Sequence, residues 1–191
     1  MKRILSRMLV VAAVLMVSAL PASATLVANG GFESGDFTGW THVGNTGSDS
    51  VSFNPTWVHS GIFGAQLGAI SPTFLYQDLV TIPGQTYSIS FWLKSDNNGN
   101  TPDNFFTAYW GNTGNTLFSG QDLSDSAYTK YTYLQVASST TTQFGLLYAN
   151  IPWFFGLDDV DVSPVPIPGA VWLLGSGLAG LVGIGRKRMK K

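Results

Sequence analysis

Short segments in which apolar and polar residues alternate recur through the middle of the chain. The clearest covers residues 87–94, where one face carries Tyr87, Ile89, Phe91 and Leu93. Residues two apart lie on the same face of a β-strand, so this segment is predicted as a strand with one buried face. No convincing 3.6-residue period occurs between residues 25 and 163. The pattern therefore predicts an all-β domain.

Turn residues separate the alternating segments, as Pro83-Gly84 does before residue 87. The predicted strands cover residues 25–28, 50–53, 65–67, 74–82, 87–94, 105–110, 131–137, 144–148 and 157–162. Eight or nine short strands at a spacing of roughly ten residues are typical of a β-sandwich made of two antiparallel sheets. In residues 131–137, alternation predicts that Leu134 and Val136 face inward.

The beginning of the chain has the pattern of a secretory signal peptide, predicted for residues 1–24. Lys2, Arg3 and Arg7 precede an apolar stretch over residues 8–20, and Ala22-Ser23-Ala24 matches an A-x-A cleavage site. The domain left for folding is then residues 25–163. We expect it to be exported across a membrane.

Residues 164–191 form a second segment that does not resemble a folded domain. Val165-Pro166-Ile167-Pro168 precedes an uncharged, glycine-rich apolar run, and Arg186-Lys187-Arg188-Met189-Lys190-Lys191 follows it. The length predicts a transmembrane helix over about residues 168–185. The basic cluster favours the cytoplasmic side. An ordinary membrane anchor would share these features.

A proline motif, an apolar glycine-rich helix and a basic cluster together resemble the PEP-CTERM sorting tail, the substrate signal of bacterial exosortases. The usual motif of that family is Val-Pro-Glu-Pro, and Ile167 stands here where the glutamate is expected. The resemblance implies an exosortase-like membrane protease or transpeptidase as a partner. It also implies transient anchoring in the inner membrane, then a cell-surface or extracellular-matrix location.

The charge of the middle domain differs from that of the whole chain. Only Lys94 and Lys130 oppose all eleven acidic residues of the protein there, for a net charge of −9. Such a domain repels nucleic acid and anionic lipid, and we exclude both as partners of the domain. It contains no cysteine, so an exported fold must be stabilised without disulfides.

Three stretches resemble galactose-binding-like jelly rolls, among them carbohydrate-binding modules of the CBM4/CBM9 type. They are residues 26–40, which include Gly30-Gly31-Phe32-Glu33, residues 84–92, and residues 155–162 at the end of the domain. The resemblance implies a jelly-roll β-sandwich and a non-catalytic binding role, with glycan or exopolysaccharide as a possible partner. A purely structural surface protein without a small ligand is the alternative.

A jelly roll brings its first and last strands together at one edge, which would place Glu33 near Asp158 and Asp159. Three carboxylates meeting at a strand edge repel each other unless a cation neutralises them, and oxygen ligands suit Ca²⁺. The resemblance implies a structural calcium held by Glu33, by Asp158 or Asp159, and by the carbonyl of Gly31. Alternatively, these acids are solvated or cap turns.

Exposed aromatic rings can stack on sugar rings, and amides beside them bind hydroxyl groups. Alternation puts Trp92 opposite the core residues of its strand, and the same logic offers Tyr109 and Tyr133, with Gln135 beside it. These four residues are the predicted ligand site. If another layer covers the face, they belong to the core. For Trp40, Trp57 and Trp110 we expect core or loop packing.

The sequence offers little for catalysis, and no enzymatic activity is expected. His42 and His59 lack a nucleophile or metal spacing. A glycosidase needs two carboxylates facing each other across a cleft. Asp158 and Asp159 are adjacent, so on a regular strand they would point to opposite faces. An exported hydrolase is the least favoured alternative.

Overall fold

The computed structural model describes residues 24–100 and 103–166, and these residues form two antiparallel five-stranded sheets. The strands are β1 (Thr41–Val43), β2 (Ser50–Ser52), β3 (Gly64–Leu67), β4 (Thr73–Val80), β5 (Thr86–Asp96), β6 (Asn104–Trp110), β7 (Thr116–Gln121), β8 (Thr129–Val136), β9 (Thr141–Asn150) and β10 (Phe154–Pro164). Sheet A has the order β1-β4-β9-β6-β7, and sheet B has the order β2-β3-β10-β5-β8. The prediction of two antiparallel sheets is confirmed.

Eight of the nine predicted strands correspond to β2–β6 and β8–β10. Residues 25–28 are not a regular strand, and β1 and β7 were not predicted. Apart from the 3₁₀ turn Thr46–Ser48, the described residues contain no helix, and nothing in that part of the chain is a helix capable of crossing a membrane. The predicted signal peptide and transmembrane helix, with Ile167 and Pro168, lie outside the described residues.

The core lies between the two sheets and consists mainly of large aromatic and aliphatic side chains. Phe91 from sheet B packs near Phe106 and Phe144 from sheet A, and all three are fully buried. Trp40, Trp57 and Trp110 are also buried, as expected. The burial of these rings gives the cysteine-free domain its main source of stability.

The N-terminal segment lies along β10, although β10 is a central strand of sheet B and not an edge strand as expected. β3 pairs only with Phe155–Leu157 of β10, which leaves the later part of that side open. There Leu26 donates to the carbonyl of Val162, and Val160 donates to that of Gly30. A Cβ at Gly30 would lie 2.0 Å from the carbonyl oxygen of Val160, so only glycine fits this approach.

The predicted orientation of β8 is wrong. Leu134 and Val136 are 64% and 56% exposed, while Tyr133 and Gln135 are only partly exposed. The register with β5 explains the difference, because Tyr133 lies opposite Ile89, whose side chain is in the core. Residues opposite each other in an antiparallel pair share a face, so Tyr133 follows Ile89 inward.

The chain leaves the sandwich at one of its two ends. β10 ends at Pro164, after which the amide of Val165 donates to Thr86 and its carbonyl accepts from the side chain of Gln85. The chain continues past residue 165 from this end, which we call the exit end. It contains residues 81–85, 111–115 and 137–140. The opposite end carries residues 70–72, 103–105, 121–122 and 149–151.

Candidate functional site

The structure brings together the acidic residues that the sequence assigned to a metal site. Glu33 accepts hydrogen bonds from the amides of Ile62 and Phe63, at 3.0–3.2 Å. An ideal Cβ built on Gly31 would lie 3.7 Å from Oδ1 of Asp159 and 3.8 Å from Oδ1 of Asp158. Gly31 therefore lies among the three predicted carboxylates.

Asp158 and Asp159 do not point to opposite faces as a regular strand would require. The register of β10 against β5 shifts between Asp158 and Asp161, and Asp159 has φ of 47°. This bulge lets both carboxylates reach one loop. Asp158 accepts from the amides of His59 and Ser60, and Asp159 from Nδ1 of His59 at 2.6 Å and the hydroxyl of Ser60 at 2.7 Å.

Asp158 is a carboxyl group in an unfavourable place for a negative charge. It is fully buried, and this burial raises its pKa to about 6, although the amides of His59, Ser60 and Asp159 act in the opposite direction. The charge of Asp159 adds to the increase. A bound cation would relieve both effects.

The donor types around Gly31 suit Ca²⁺, but their orientations match only in part. Within residues 24–100 and 103–166, no three His, Asp or Glu side chains are arranged as a set of metal ligands. Glu33 directs its oxygens to backbone amides of the loop. The calcium site stays a prediction.

A second candidate surface is the face of sheet A that points away from the core. On β4, the side chains of Phe74 and Tyr76 alternate with the buried Leu75, Gln77 and Leu79, and both rings are partly exposed. We call this surface the outer face of sheet A. It comprises Phe74, Tyr76, Asp78, Phe105, Thr107, Tyr109, Gln143, Gly145 and Leu147, which alternate with core residues on β4, β6 and β9.

Tyr109 lies across the middle of this outer face. Its ring occupies the space above Gly145, where a Cβ would lie 2.2 Å from Cζ of the ring. The hydroxyl of Tyr109 donates to Oε1 of Gln143 at 3.4 Å, and Nε2 of the same Gln143 side chain donates to Oδ1 of Asp78 at 3.0 Å. Burial raises the pKa of the Tyr109 hydroxyl, so it stays a neutral hydrogen-bonding group.

A pocket of about 410 Å³ opens beside the outer face of sheet A, at the end opposite the exit end. Phe105 belongs to both the outer face and the pocket lining. Asp103, Gln121 and Asp122 supply polar groups to the pocket wall, and Ile70 supplies apolar surface. Aromatic surface beside amide and carboxylate oxygens suits a polyhydroxylated ligand.

The predicted ligand residues do not lie on a single surface. Tyr109 lies on the outer side of sheet A but is only 2% exposed, so the prediction that its ring is exposed is wrong. Trp92 is on the outer face of sheet B, half-buried beneath His59, with ring centroids 3.7 Å apart. Tyr133 faces the sandwich interior and stacks on Phe91. Gln135 lies two residues along the same strand, and its Oε1 accepts a hydrogen bond from the side-chain amide of Asn115 at 3.5 Å.

Sequence reasoning missed Phe74, Tyr76, Asp78 and Gln143 as candidate ligand residues. Alternation in residues 74–80 indicates which side chains share a face. It does not reveal which sheet remains uncovered. His42 lies in the unpredicted strand β1, where its Nε2 is 2.8 Å from Oδ2 of Asp49 and 3.1 Å from the hydroxyl of Tyr148.

No protein-family model and no curated protein matches this sequence. Among solved structures, a family 61 carbohydrate-binding module in complex with β-1,4-galactotriose has a TM-score of 0.61 and 18% identity, covering 75% of this chain and 100% of its own. A xylan-binding domain of family 22 has a TM-score of 0.53 and 15% identity, covering 75% and 99%.

The enzymatically active domain of tailspike protein 4 of bacteriophage CBA120 is also similar, with a TM-score of 0.56 and 12% identity over 74% of this chain and 21% of that one. At these identities the likeness concerns the fold alone. The described domain has the jelly-roll β-sandwich fold that also occurs in carbohydrate-binding modules.

Proposed function

We propose that this protein is an exported, non-catalytic glycan-binding module whose ligand lies on the outer face of sheet A and extends toward the adjacent pocket. The observation that carries the proposal is the pair of partly exposed rings, Phe74 and Tyr76, next to the hydrogen-bonded chain of Tyr109, Gln143 and Asp78. Rings stack on the apolar faces of sugars, and the amide and carboxylate oxygens accept from hydroxyl groups.

The charge of the outer face restricts the class of polysaccharide. Both lysines of the domain belong to strands of sheet B, where Lys94 lies over Trp57 and Lys130 is on β8. Asp78 and the pocket carboxylates of Asp103 and Asp122 are acidic. An acidic polysaccharide would meet like charge without a compensating cation, so the ligand is neutral or carries amines.

Affinity electrophoresis in gels containing neutral galactan, neutral xylan, a polyamine such as chitosan, or acidic alginate tests this proposal. We expect retardation by a neutral or amine-bearing polysaccharide and none by alginate. Tyr76→Ala should weaken binding about tenfold, since ring contacts contribute about 0.5–1.5 kcal/mol beyond area burial and 1.4 kcal/mol equals one decade. Trp92→Ala, on the other sheet, is the matched control.

Loss of binding in Trp92→Ala with full binding in Tyr76→Ala would move the ligand site to sheet B and refute our assignment. Retardation only by alginate would refute the charge argument. Failure of every polysaccharide to bind, including those of the native extracellular matrix, would favour the alternative of a surface protein without a small ligand.

Export and sorting form the second part of the proposal and are supported by the sequence. Residues 1–24 would direct export, and Val165-Pro166-Ile167-Pro168 with the following apolar run would be recognised by an exosortase-like enzyme. Intact-mass spectrometry of protein from native cells should show loss of residues 1–24 and of the segment after Pro168 or nearby. A mature chain that retains Lys191 contradicts cleavage.

The calcium site is the third part. Glu33, Asp158 and Asp159, with the carbonyl of Gly31, would hold the ion, which would neutralise the buried carboxylates and fix the N-terminal segment against β10. This role is structural and places the ion on sheet B, away from the proposed glycan surface. A melting temperature that EDTA leaves unchanged would eliminate the site.

A further inference from the structure

The exit end carries apolar side chains that are unusually exposed for an acidic domain. Val80 and Ile82 are 82% and 66% exposed, and Leu134 and Val136 are 64% and 56% exposed. Val80 ends β4 and Ile82 is the second residue of the connection to β5, while Val136 ends β8 opposite Thr86. These residues therefore lie at or near the end where the chain leaves the domain, Val80 on the outer side of sheet A and Leu134 and Val136 on the outer side of sheet B.

The segments that form the exit end, and the strand residues next to them as far as Asp78 on β4 and Asp161 on β10, are also free of charge. Residues 81–87, 110–116, 134–141 and 162–166 contain no Asp, Glu, Lys, Arg or His, although eleven acids occur elsewhere in the domain. Two exposed apolar residues elsewhere have acidic neighbours: the amide of Ile62 donates to Glu33, and Ile70 shares the pocket lining with Asp103 and Asp122. The exit end is thus both apolar and uncharged.

The connection between the domain and the apolar tail is short. Val165 is held by hydrogen bonds to Gln85 and Thr86, so the folded domain extends to residue 165. Only Pro166 and Ile167 separate it from residue 168, where the sequence predicts that the membrane span begins. Three consecutive Cα steps of 3.8 Å reach at most about 11 Å. A span that begins at residue 168 would hold the exit end next to the lipid surface.

We propose that the exit end docks on the phospholipid surface, with Ile82 and Val136 in the boundary between headgroups and acyl chains. The free energy of the system falls when apolar side chains leave water for this boundary. The uncharged rim avoids the repulsion that an acidic surface would meet at an anionic membrane. The proposal rests on membrane insertion of residues 168–185 and does not depend on glycan binding. It also directs the pocket at the opposite end away from the lipid.

The chain contains no cysteine, which permits single-cysteine labelling of the full-length protein. Ile82→Cys and Val136→Cys report on the exit end. Ile62→Cys is the matched control, because Ile62 and Ile82 are 65% and 66% exposed. Each variant carries an environment-sensitive fluorophore and is reconstituted into phosphatidylcholine vesicles, with or without a nitroxide quencher on the acyl chains. Flotation of the vesicles measures insertion independently.

We expect a blue shift and strong nitroxide quenching at positions 82 and 136, with neither at position 62. If the protein floats with the vesicles but the labels at positions 62, 82 and 136 are equally polar and equally unquenched, docking is overturned while insertion of the tail stands. Failure to float would overturn both. A blue shift that grows with protein concentration but resists lipid quenching would assign the surface to a second copy of the chain, and would also overturn the proposal.

Discussion

Burial of the Asp158 carboxyl predicts an unusual pH dependence of stability when divalent cations are removed. In EDTA, lowering the pH should stabilise the domain through the range in which Asp158 takes up a proton. The folded-state pKa is about 6 and the ordinary value is 3.8. Because the folded state binds this proton more tightly, the stability it contributes is present below 3.8 and is lost as the pH rises through 6.

The size of the effect follows from the two pKa values. Their difference corresponds to about 3 kcal/mol at most, and the part realised at pH 4.5 relative to pH 7.5 is about 2 kcal/mol. Urea unfolding monitored by tryptophan fluorescence measures the free energy of unfolding at both pH values. Asp158→Asn is the control, since it removes the titrating group. The substitution should lower the free energy of unfolding at both pH values. It should also abolish the part of the pH dependence that comes from Asp158.

Calcium should reverse the sign of this dependence if the proposed site is correct. The ion binds the carboxylate form, so protons would compete with it and acidification would destabilise the loaded domain. Stability in EDTA that falls between pH 7.5 and 4.5 to the same extent in the native protein and in Asp158→Asn would refute the role of Asp158. The same falling trend with and without calcium would refute the metal site.

Two further substitutions test the packing around β10 and inside sheet A. Gly30→Ala forces a Cβ against the carbonyl oxygen of Val160, so we expect a loss of about 1–3 kcal/mol in urea unfolding; Gly47→Ala, which has nothing within 4 Å, should cost less than half as much. Tyr148→Phe removes the hydroxyl that donates to the buried Asp49 at 2.7 Å. We expect it to cost about 1–3 kcal/mol in the same assay, and an unchanged midpoint would show that another donor replaces this hydroxyl.

The strands that the sequence identified are those in which alternation and core burial coincide. Residues 87–94 became β5, because every second side chain there enters the core. β1 and β7 are edge strands and were missed, whereas the edge strands β2 and β8 were predicted. β1 is three residues long, and β7 leaves none of its side chains fully buried, so their alternation is weak.

Errors within the site came from interactions between distant segments. The orientation of Tyr133 depends on its register with β5, which the sequence of β8 alone does not specify. The common direction of Asp158 and Asp159 depends on a bulge in β10. The meeting of Glu33 with these acids could be predicted because it follows from the order of strands in a jelly roll. The outer face of sheet A could not, because alternation does not identify the uncovered sheet.

The position of β10 determines how the domain would respond to tension. A pull on the chain beyond Val165, opposed by a polymer attached near Phe105, acts roughly parallel to the strands. β10 pairs with β5 along residues 154–158 and 161–164, on either side of the bulge, and these hydrogen bonds run perpendicular to the strand axis. The load would therefore shear the whole ladder at once and not peel it open one bond at a time. Such a domain would hold a load between two anchored points before its sheets separate.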